Sequence, residues 1–262
     1  MLDRPIVTLL TDFGLQDGYA GVMKGVIASI APHARAIDIT HQIPPQNLIA
    51  ARFCLMSSYA YFPRGTIHLA VVDPGVGSQQ RGVAIRFAEG YLVGPDNGLF
   101  SGVLSLSEAI SAVSLTNPEY WRVPSPSSTF HGRDIFAPIA GHLADGVPLE
   151  VLGDSIDPDS LVRLPIEPLE IHGDRVLGSI QYIDIFGNLI TDIPSVVVTG
   201  KNWSIEFPER TIPARSTYSD VPEGAIVPLI GSHGYLEISV NRGNAREALQ
   251  LDWGDRIAVK LE

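Results

Sequence analysis

Three short segments of this chain concentrate the residue types that do chemistry. Thr129-Phe130-His131-Gly132-Arg133-Asp134-Ile135-Phe136 sets an imidazole, a guanidinium and a carboxylate around one glycine. Thr11-Asp12-Phe13-Gly14 and Val71-Val72-Asp73-Pro74-Gly75-Val76-Gly77 each place a carboxylate and a flexible turn directly after an apolar run. Charged groups beside buried segments need partners. Turns that close buried strands are where α/β folds put their ligand sites. If turns at adjacent strand ends converge, Asp73, Arg81 and His131 can bind and orient a water molecule: Asp73 as acceptor, His131 as donor or acceptor, and Arg81 as a fixed positive charge favouring hydroxide character. Arg133 and Asp134 are expected to form a structural ion pair or a helix cap.

Asp12 has two readings. Its carboxylate could accept both hydroxyls of a ribose diol, or Asp12 or Asp17 could cap the helix that follows. Asp73 and Arg81, taken alone, would be a β-turn with an exposed ion pair, and no Lys-Ser/Thr follows the glycines, so this is not a phosphate loop. Pro95-Asp96-Asn97-Gly98 reads as a turn bordering the pocket. Farther on, Asp184-Ile185-Phe186-Gly187-Asn188 offers a ring and an amide that suit a purine, or a β-bulge with Phe186 in the core. The histidines, including His41, His68 and His233, lack metal-ligand spacing, so no metal is expected.

The elements that must position these residues follow from hydrophobic pattern. Ile6 to Leu10 and Thr66 to Val72 are nearly continuous apolar runs, as in strands buried on both faces. Ala36 to Ile39, Arg81 to Phe87 and Tyr91 to Gly94 read as further strands. Gly18 to Ile30, Leu48 to Tyr61 and Ile135 to Asp145 have helical spacing, and Gly98 to Ser111 is helical or mixed. Strands alternating with helices predict an α/β domain with a mostly parallel sheet over residues 1–165. Prolines recur between Asp157 and Pro168. Beyond them short β-like runs (Arg175 to Ile183, Leu189 to Ile193, Val196 to Val198, Ile226 to Ile230, Leu236 to Val240, Arg256 to Leu261) predict a smaller β-barrel-like domain over 166–262.

Bulk properties exclude several classes. The 262 residues are 45% hydrophobic, enough for a substantial core. The 18 Lys+Arg against 29 Asp+Glu leave a net charge of -11, which argues against a nucleic-acid surface and suits a small or cationic ligand. The single cysteine, Cys54, lies in an apolar run and reads as a core residue, not a catalytic thiol. With no disulfide possible, no secretory leader and no apolar stretch long enough to span a bilayer, a cytoplasmic protein with no membrane partner is expected.

In their order along the chain, Thr11–Gly14, Val72–Gly77, Gly94–Gly98, Phe130–Asp134 and Asp184–Asn188 resemble the S-adenosylmethionine hydroxide adenosyltransferase family, relatives of the fluorinase and chlorinase. The resemblance covers nearly the whole chain. It implies hydrolysis of S-adenosyl-L-methionine at ribose C5′ to adenosine and L-methionine, with no cofactor, by a homotrimer whose sites lie between the first domain of one subunit and the second domain of its neighbour. The family's Asp, Arg and His map onto Asp73, Arg81 and His131. Ser78-Gln79-Gln80 makes the interval before Arg81 one residue longer than the family pattern, so Gln80 competes with Arg81 for that position. Ribose binding maps to Asp12, methionine contacts to Asp17, Asp184 and Ser232, and adenine contacts to Asn188 and the Asn244-Ala245 backbone. After the serine, where halogenating relatives carry arginine, stands His233. The competing readings are a halide-using adenosyltransferase, a nucleoside hydrolase, for which Asp12 and Asp17 form too loose a calcium cluster, and a non-catalytic adenosine-binding module.

Overall fold

The computed structural model describes residues 4–262, which form two compact units, 4–164 and 165–262. In the first unit the chain runs β1 (Ile6–Thr11), α1 (Tyr19–Ile30), β2 (Arg35–Thr40), α2 (Leu48–Ser58), β3 (Thr66–Val71), β4 (Gly82–Phe87), β5 (Gly90–Pro95), α3 (Ser101–Leu106), β6 (Ala109–Ser114), α4 (Ala137–Ala144) and β7 (Asp154–Ile156). The seven strands make one sheet in the order β2-β1-β3-β5-β4-β6-β7. β2, β1, β3 and β5 are parallel neighbours, whereas β4 and β7 run against the rest. The sheet is thus mostly parallel, as the strand–helix alternation implies.

Both faces of the central strands are covered, which explains their nearly continuous apolar runs. Val7 and Leu9 of β1 and Ile67, Leu69 and Val71 of β3 pack with Met23 and Ile27 of α1 and with Ile139, Ala140 and Leu143 of α4. On the other face the buried His68 ring donates to or accepts from Thr8 Oγ1 at 2.9 Å and meets Tyr59 edge-on. Burial pulls the His68 imidazole down to about 4, so it is neutral at physiological pH.

The chain leaves β1 in one direction to reach β2 and returns to place β3 on the opposite side of β1. This reversal is a topological switch point, and in open parallel sheets the crevice beyond the carboxyl ends of such strands is where ligands bind. Thr11 is paired with Val71 at those ends. Asp12 and Asp73 therefore emerge side by side, one from each strand.

The second unit comprises β8 (Glu170–His172), β9 (Arg175–Ile183), β10 (Leu189–Pro194), β11 (Trp203–Phe207), β12 (Arg210–Pro213), β13 (Ile226–Ile230), β14 (Tyr235–Val240), α5 (Ala245–Leu249) and β15 (Arg256–Leu261). Its antiparallel strands follow the order β12-β11-β15-β9-β10-β14-β13, with β8 added beside β9. Arg215 N donates to Pro228 O at 2.9 Å just beyond β12, which nearly closes the sheet into a barrel around Val176, Ile180, Leu236, Ile238, Ile257 and Val259. Closure of this kind removes exposed edges.

Three local expectations need correction. Residues 196–198 are not a strand: Ser195–Val197 is a 3₁₀ turn following Pro194, whose ring and missing N–H end the ladder. The helix from Leu48 ends at Ser58 and tightens into a 3₁₀ turn over Tyr59–Tyr61. The mixed segment from Gly98 resolves into α3 and β6. Cys54 lies half-buried on α2, and burial pushes its thiol up to about 11, far from the thiolate a nucleophile needs. Among the described residues no helix is long and apolar enough to cross a membrane.

Candidate active site

A cavity of about 240 Å³ lies at the switch point, lined by Asp12, Phe13, Gln46, Asp73, Val76, Phe130 and His131 among others. Three separate turns meet there. Asp12 follows β1, Asp73 follows β3, and His131 precedes a single π-helical turn, Gly132–Phe136, that leads into α4. Such π turns recur at functional sites because they shift side chains off the regular helical spacing. Gly132 fits beneath Phe13 and Phe130: a β-carbon there would stand 3.2 Å from Phe130 Cε2 and 3.2 Å from Met23 Sδ.

Asp12 is not a helix cap. Among the described residues no side chain caps α1. Asp12 Oδ2 instead accepts the Gln46 N–H at 2.8 Å. Gln46 has a φ of 64°, a left-handed conformation uncommon for a residue with a β-carbon. The Pro44-Pro45-Gln46 turn thus holds Asp12 at the cavity wall. Sequence reading gave Gln46 no role, although two prolines immediately before a helix are a signal for a constrained turn.

Asp73 is half-buried, and loss of hydration pushes its carboxyl above the usual carboxylate range, with the nearby Asp12 adding to the rise. The Gln80 amide, the proximity of His131 and the Gly75 N–H oppose it. A carboxylate raised in this way holds a proton more strongly than a solvated one and is a better base.

Arg81 does not join Asp73 and His131. Its Nε donates to Asp96 Oδ2 at 2.6 Å, and a terminal nitrogen donates to Ser160 O at 2.6 Å. Buried Asp96 also accepts the Val162 N–H at 2.9 Å, so the pair fastens the 160–162 segment against the β4–β5 end. It is Gln80 that reaches Asp73, its Nε2 donating to Oδ1 at 2.7 Å. The physical reason is strand pleat: Arg81 already accepts the Asp96 N–H on its carbonyl, and successive side chains of an extended segment point to opposite sides.

Arg133 and Asp134 form the expected ion pair. Arg133 donates through two nitrogens to Asp134, at 2.7 and 2.6 Å, while its guanidinium lies over the Phe130 ring. The Arg133 contact, helped by the Ser127 N–H, holds the fully buried Asp134 carboxyl below its usual range. This pair fixes the loop before His131, and neither residue lines the cavity. Phe13, Tyr19 and Phe130 make three mutual edge-to-face contacts with centroids 5.2 to 5.9 Å apart, tying the first turn to the third. Asp17 is exposed in the loop before α1 and does not line the cavity.

In the second unit a cavity of about 600 Å³ is lined by Asp184, Phe186, Asn188, Tyr218, Val240, Arg242, Gly243 and Asn244. Asp184 organises the loop: Oδ1 accepts the Phe186 and Asn188 N–H groups and Oδ2 the Asn188 amide, each at 2.9 Å. Phe186 is 70% exposed, so its ring is offered to the surroundings and not packed in the core. Gly187, at a φ of 80°, admits Asn244 so closely that a β-carbon would lie 2.0 Å from Asn244 Oδ1. Asn244 caps α5 by accepting the Glu247 N–H at 3.1 Å, and Ala245 is buried beneath. Ser232 is exposed in the β13–β14 turn and does not line this cavity.

Beside it, His233 Nε2 lies 3.2 Å from Oε2 of buried Glu237, whose Oε1 accepts from Tyr218 at 2.8 Å and Ser239 at 2.6 Å. Burial, with the Glu237 contact, pushes the Tyr218 hydroxyl up to about 12. Tyr218 and Arg242 were not singled out in the sequence; neither belongs to a motif of mixed polar and apolar residues after a strand.

Comparison with known proteins bears on the whole chain. The SAM hydroxide adenosyltransferase N-terminal domain matches residues 7–153 and the corresponding C-terminal domain matches 178–258. An (R)-S-adenosyl-L-methionine hydrolase of Thermus thermophilus is 43% identical over 96% of this chain and 97% of its own length. A fluorinase of Nocardia brasiliensis is 28% identical over 98% and 97%. A solved structure of an uncharacterized conserved protein from Thermotoga maritima superposes with a TM-score of 0.89 at 35% identity, covering 97% of this chain and 99% of that one. The chain belongs to the SAM hydroxide adenosyltransferase family.

Proposed function

We propose that this protein hydrolyses S-adenosyl-L-methionine to adenosine and L-methionine by attack of water on ribose C5′. The observation that carries the reading is the convergence of Asp12, Asp73 and His131 on one cavity at the switch point of a parallel sheet. Asp12 receives the ribose hydroxyls. A water molecule between Asp73 and His131 attacks C5′ as the C5′–S bond breaks, and the bonding electron pair passes to sulfur. The sulfonium leaves as a neutral thioether, so no general acid and no Lewis acid is needed. One of the water's two protons passes to Asp73 and on to solvent, and the other stays on the new 5′-hydroxyl. What remains for the protein is to hold the water in line and strip its hydration.

A halide nucleophile is the second reading. It would need a desolvated pocket free of a competing anion, and Asp73 stands in this one. The relatives named hydrolases, at 34 to 43% identity, are nearer than the fluorinases at 28%. Turnover in ¹⁸O-labelled water is expected to place the label in the 5′-hydroxyl of adenosine and none in methionine. Absence of adenosine, or a product that requires added halide, would overturn the assignment.

In the second unit, Phe186 and Asn188 are read as adenine contacts, the Asn244-Ala245 backbone as their support, and Asp184 and Ser232 as methionine-end contacts, with Asp17 contributing from the first unit. We read the protein as a cytoplasmic homotrimer in which neighbouring copies share substrate, using no cofactor. Analytical ultracentrifugation is expected to give a species of three 28.2 kDa chains; a monomer at micromolar concentration would remove the trimer.

A further inference from the structure

Gln80 stands out among the polar groups near the cavity because its amide contacts the proposed base. Its Nε2 donates to Asp73 Oδ1 at 2.7 Å. The space that lets it do so comes from Gly75, where a β-carbon would lie 2.6 Å from Gln80 Oε1. Gly75 also gives its own N–H to Asp73. The turn is therefore shaped around an amide lying on a carboxylate, while the neighbouring cation, Arg81, is taken up by Asp96 and Ser160.

We propose that Gln80 is a positioning residue for the hydrolytic reaction: it fixes one oxygen of Asp73 by a neutral hydrogen bond, so that the carboxylate is oriented toward water without an adjacent positive charge that would weaken it as a base. The proposal rests on the hydrolase reading. A guanidinium in the same place would orient Asp73 equally well, but an opposite charge at contact distance lowers a carboxyl pKa by about 1–3 units. The amide avoids that loss. The other ionisable groups that face Asp73 are His131, from the turn before α4, and Asp12, from the turn after β1. Neither is altered by a change at Gln80.

The test pairs Gln80→Ala and Gln80→Arg with Gly75→Ala, which keeps the main-chain N–H but crowds the amide. In Gln80→Ala, kcat is expected to fall about tenfold with KM nearly unchanged, and the acid limb of the kcat–pH profile to move up, because a hydrogen bond that favours the ionised form is lost. Gly75→Ala should follow it. In Gln80→Arg the acid limb should move down by about one pH unit or more. The midpoint of the Asp73 carboxyl carbon, followed by NMR in ¹³C-Asp-labelled protein without substrate, should shift in the same directions. An Asp73 midpoint that is identical in wild type, Gln80→Ala and Gln80→Arg would overturn the proposal, as would loss of activity in these variants with no movement of the acid limb. Midpoints that shift as stated in a protein that forms no adenosine would instead overturn the hydrolase reading and leave the Gln80–Asp73 coupling standing.

Discussion

Adenosine formation by Asp73→Ala and by His131→Ala is expected to fall about 10²- to 10⁴-fold, the range that one positioned proton acceptor contributes, with affinity for S-adenosyl-L-methionine nearly unchanged. Both side chains line the cavity, yet neither is needed to hold the ribose in the proposed geometry. Isothermal titration separates binding from turnover, and single-turnover kinetics locate the loss in the chemical step. The double variant should be little worse than either single one, because two groups that hold one water act as a unit. Equal losses in affinity and rate would make them binding groups.

A stability measurement adds an independent check on Asp73. Its carboxyl is raised above the unfolded value by burial. The folded state therefore binds the proton more tightly than the unfolded one, and the ionised carboxylate weakens the fold at pH values above the folded pKa. Asp73→Asn removes that charge while keeping an oxygen for Gln80. Its melting temperature is expected to equal or exceed wild type at neutral pH, although its activity is lost. A scaffold aspartate would behave in the opposite way, as Asp134 should, since its carboxyl is held down by Arg133 and stabilises the fold until pH falls through its lowered value.

The elements that carry the site were legible where hydrophobic pattern alone decides structure. β1 and β3 read as doubly buried strands because their runs are nearly continuous in apolar residues, interrupted by Thr8 and His68, and the turns after them had to lie at strand ends. That these two turns are neighbours depends on strand order, which periodicity does not encode; the parallel Thr11–Val71 pairing supplies it. Arg81 shows a different limit. Residue type nominated it although the interval is one residue longer than the family pattern, and a shift of one residue in an extended segment sends a side chain to the other face, so Gln80 meets Asp73 while Arg81 meets Asp96. The turn at Gln46 was signalled by Pro44 and Pro45, but its tie to Asp12 was not, because that part is played by a main-chain N–H, which any residue but proline possesses. β11 was legible and unread: Trp203, Ile205 and Phe207 alternate with Ser204 and Glu206, a period-2 signal. Val196 to Val198 shows the converse, since β-branched composition does not make a strand where the backbone has just passed a proline.

Asp12→Ala is expected to lower kcat/KM by about 10²- to 10⁴-fold. In the proposed reading the carboxylate accepts both ribose hydroxyls, hydrogen bonds to a charged group are worth about 1.5–3 kcal/mol each, and every 1.4 kcal/mol is about tenfold. The same substitution also removes the acceptor for the Gln46 N–H, in a turn that already holds a left-handed residue. Loss of rate alone would therefore not distinguish a ribose ligand from a prop for the turn. A substrate analogue without the 2′- and 3′-hydroxyls makes the distinction. If Asp12 grips the diol, wild type should lose on the analogue about what Asp12→Ala loses on the natural substrate, and the two losses should not add, because each deletes the same interaction. Asp12→Asn, which keeps one acceptor oxygen for Gln46, should sit between wild type and alanine on the natural substrate and match wild type on the analogue. Additive losses would assign Asp12 to the turn and send the search for the ribose partner to the other polar groups of the cavity.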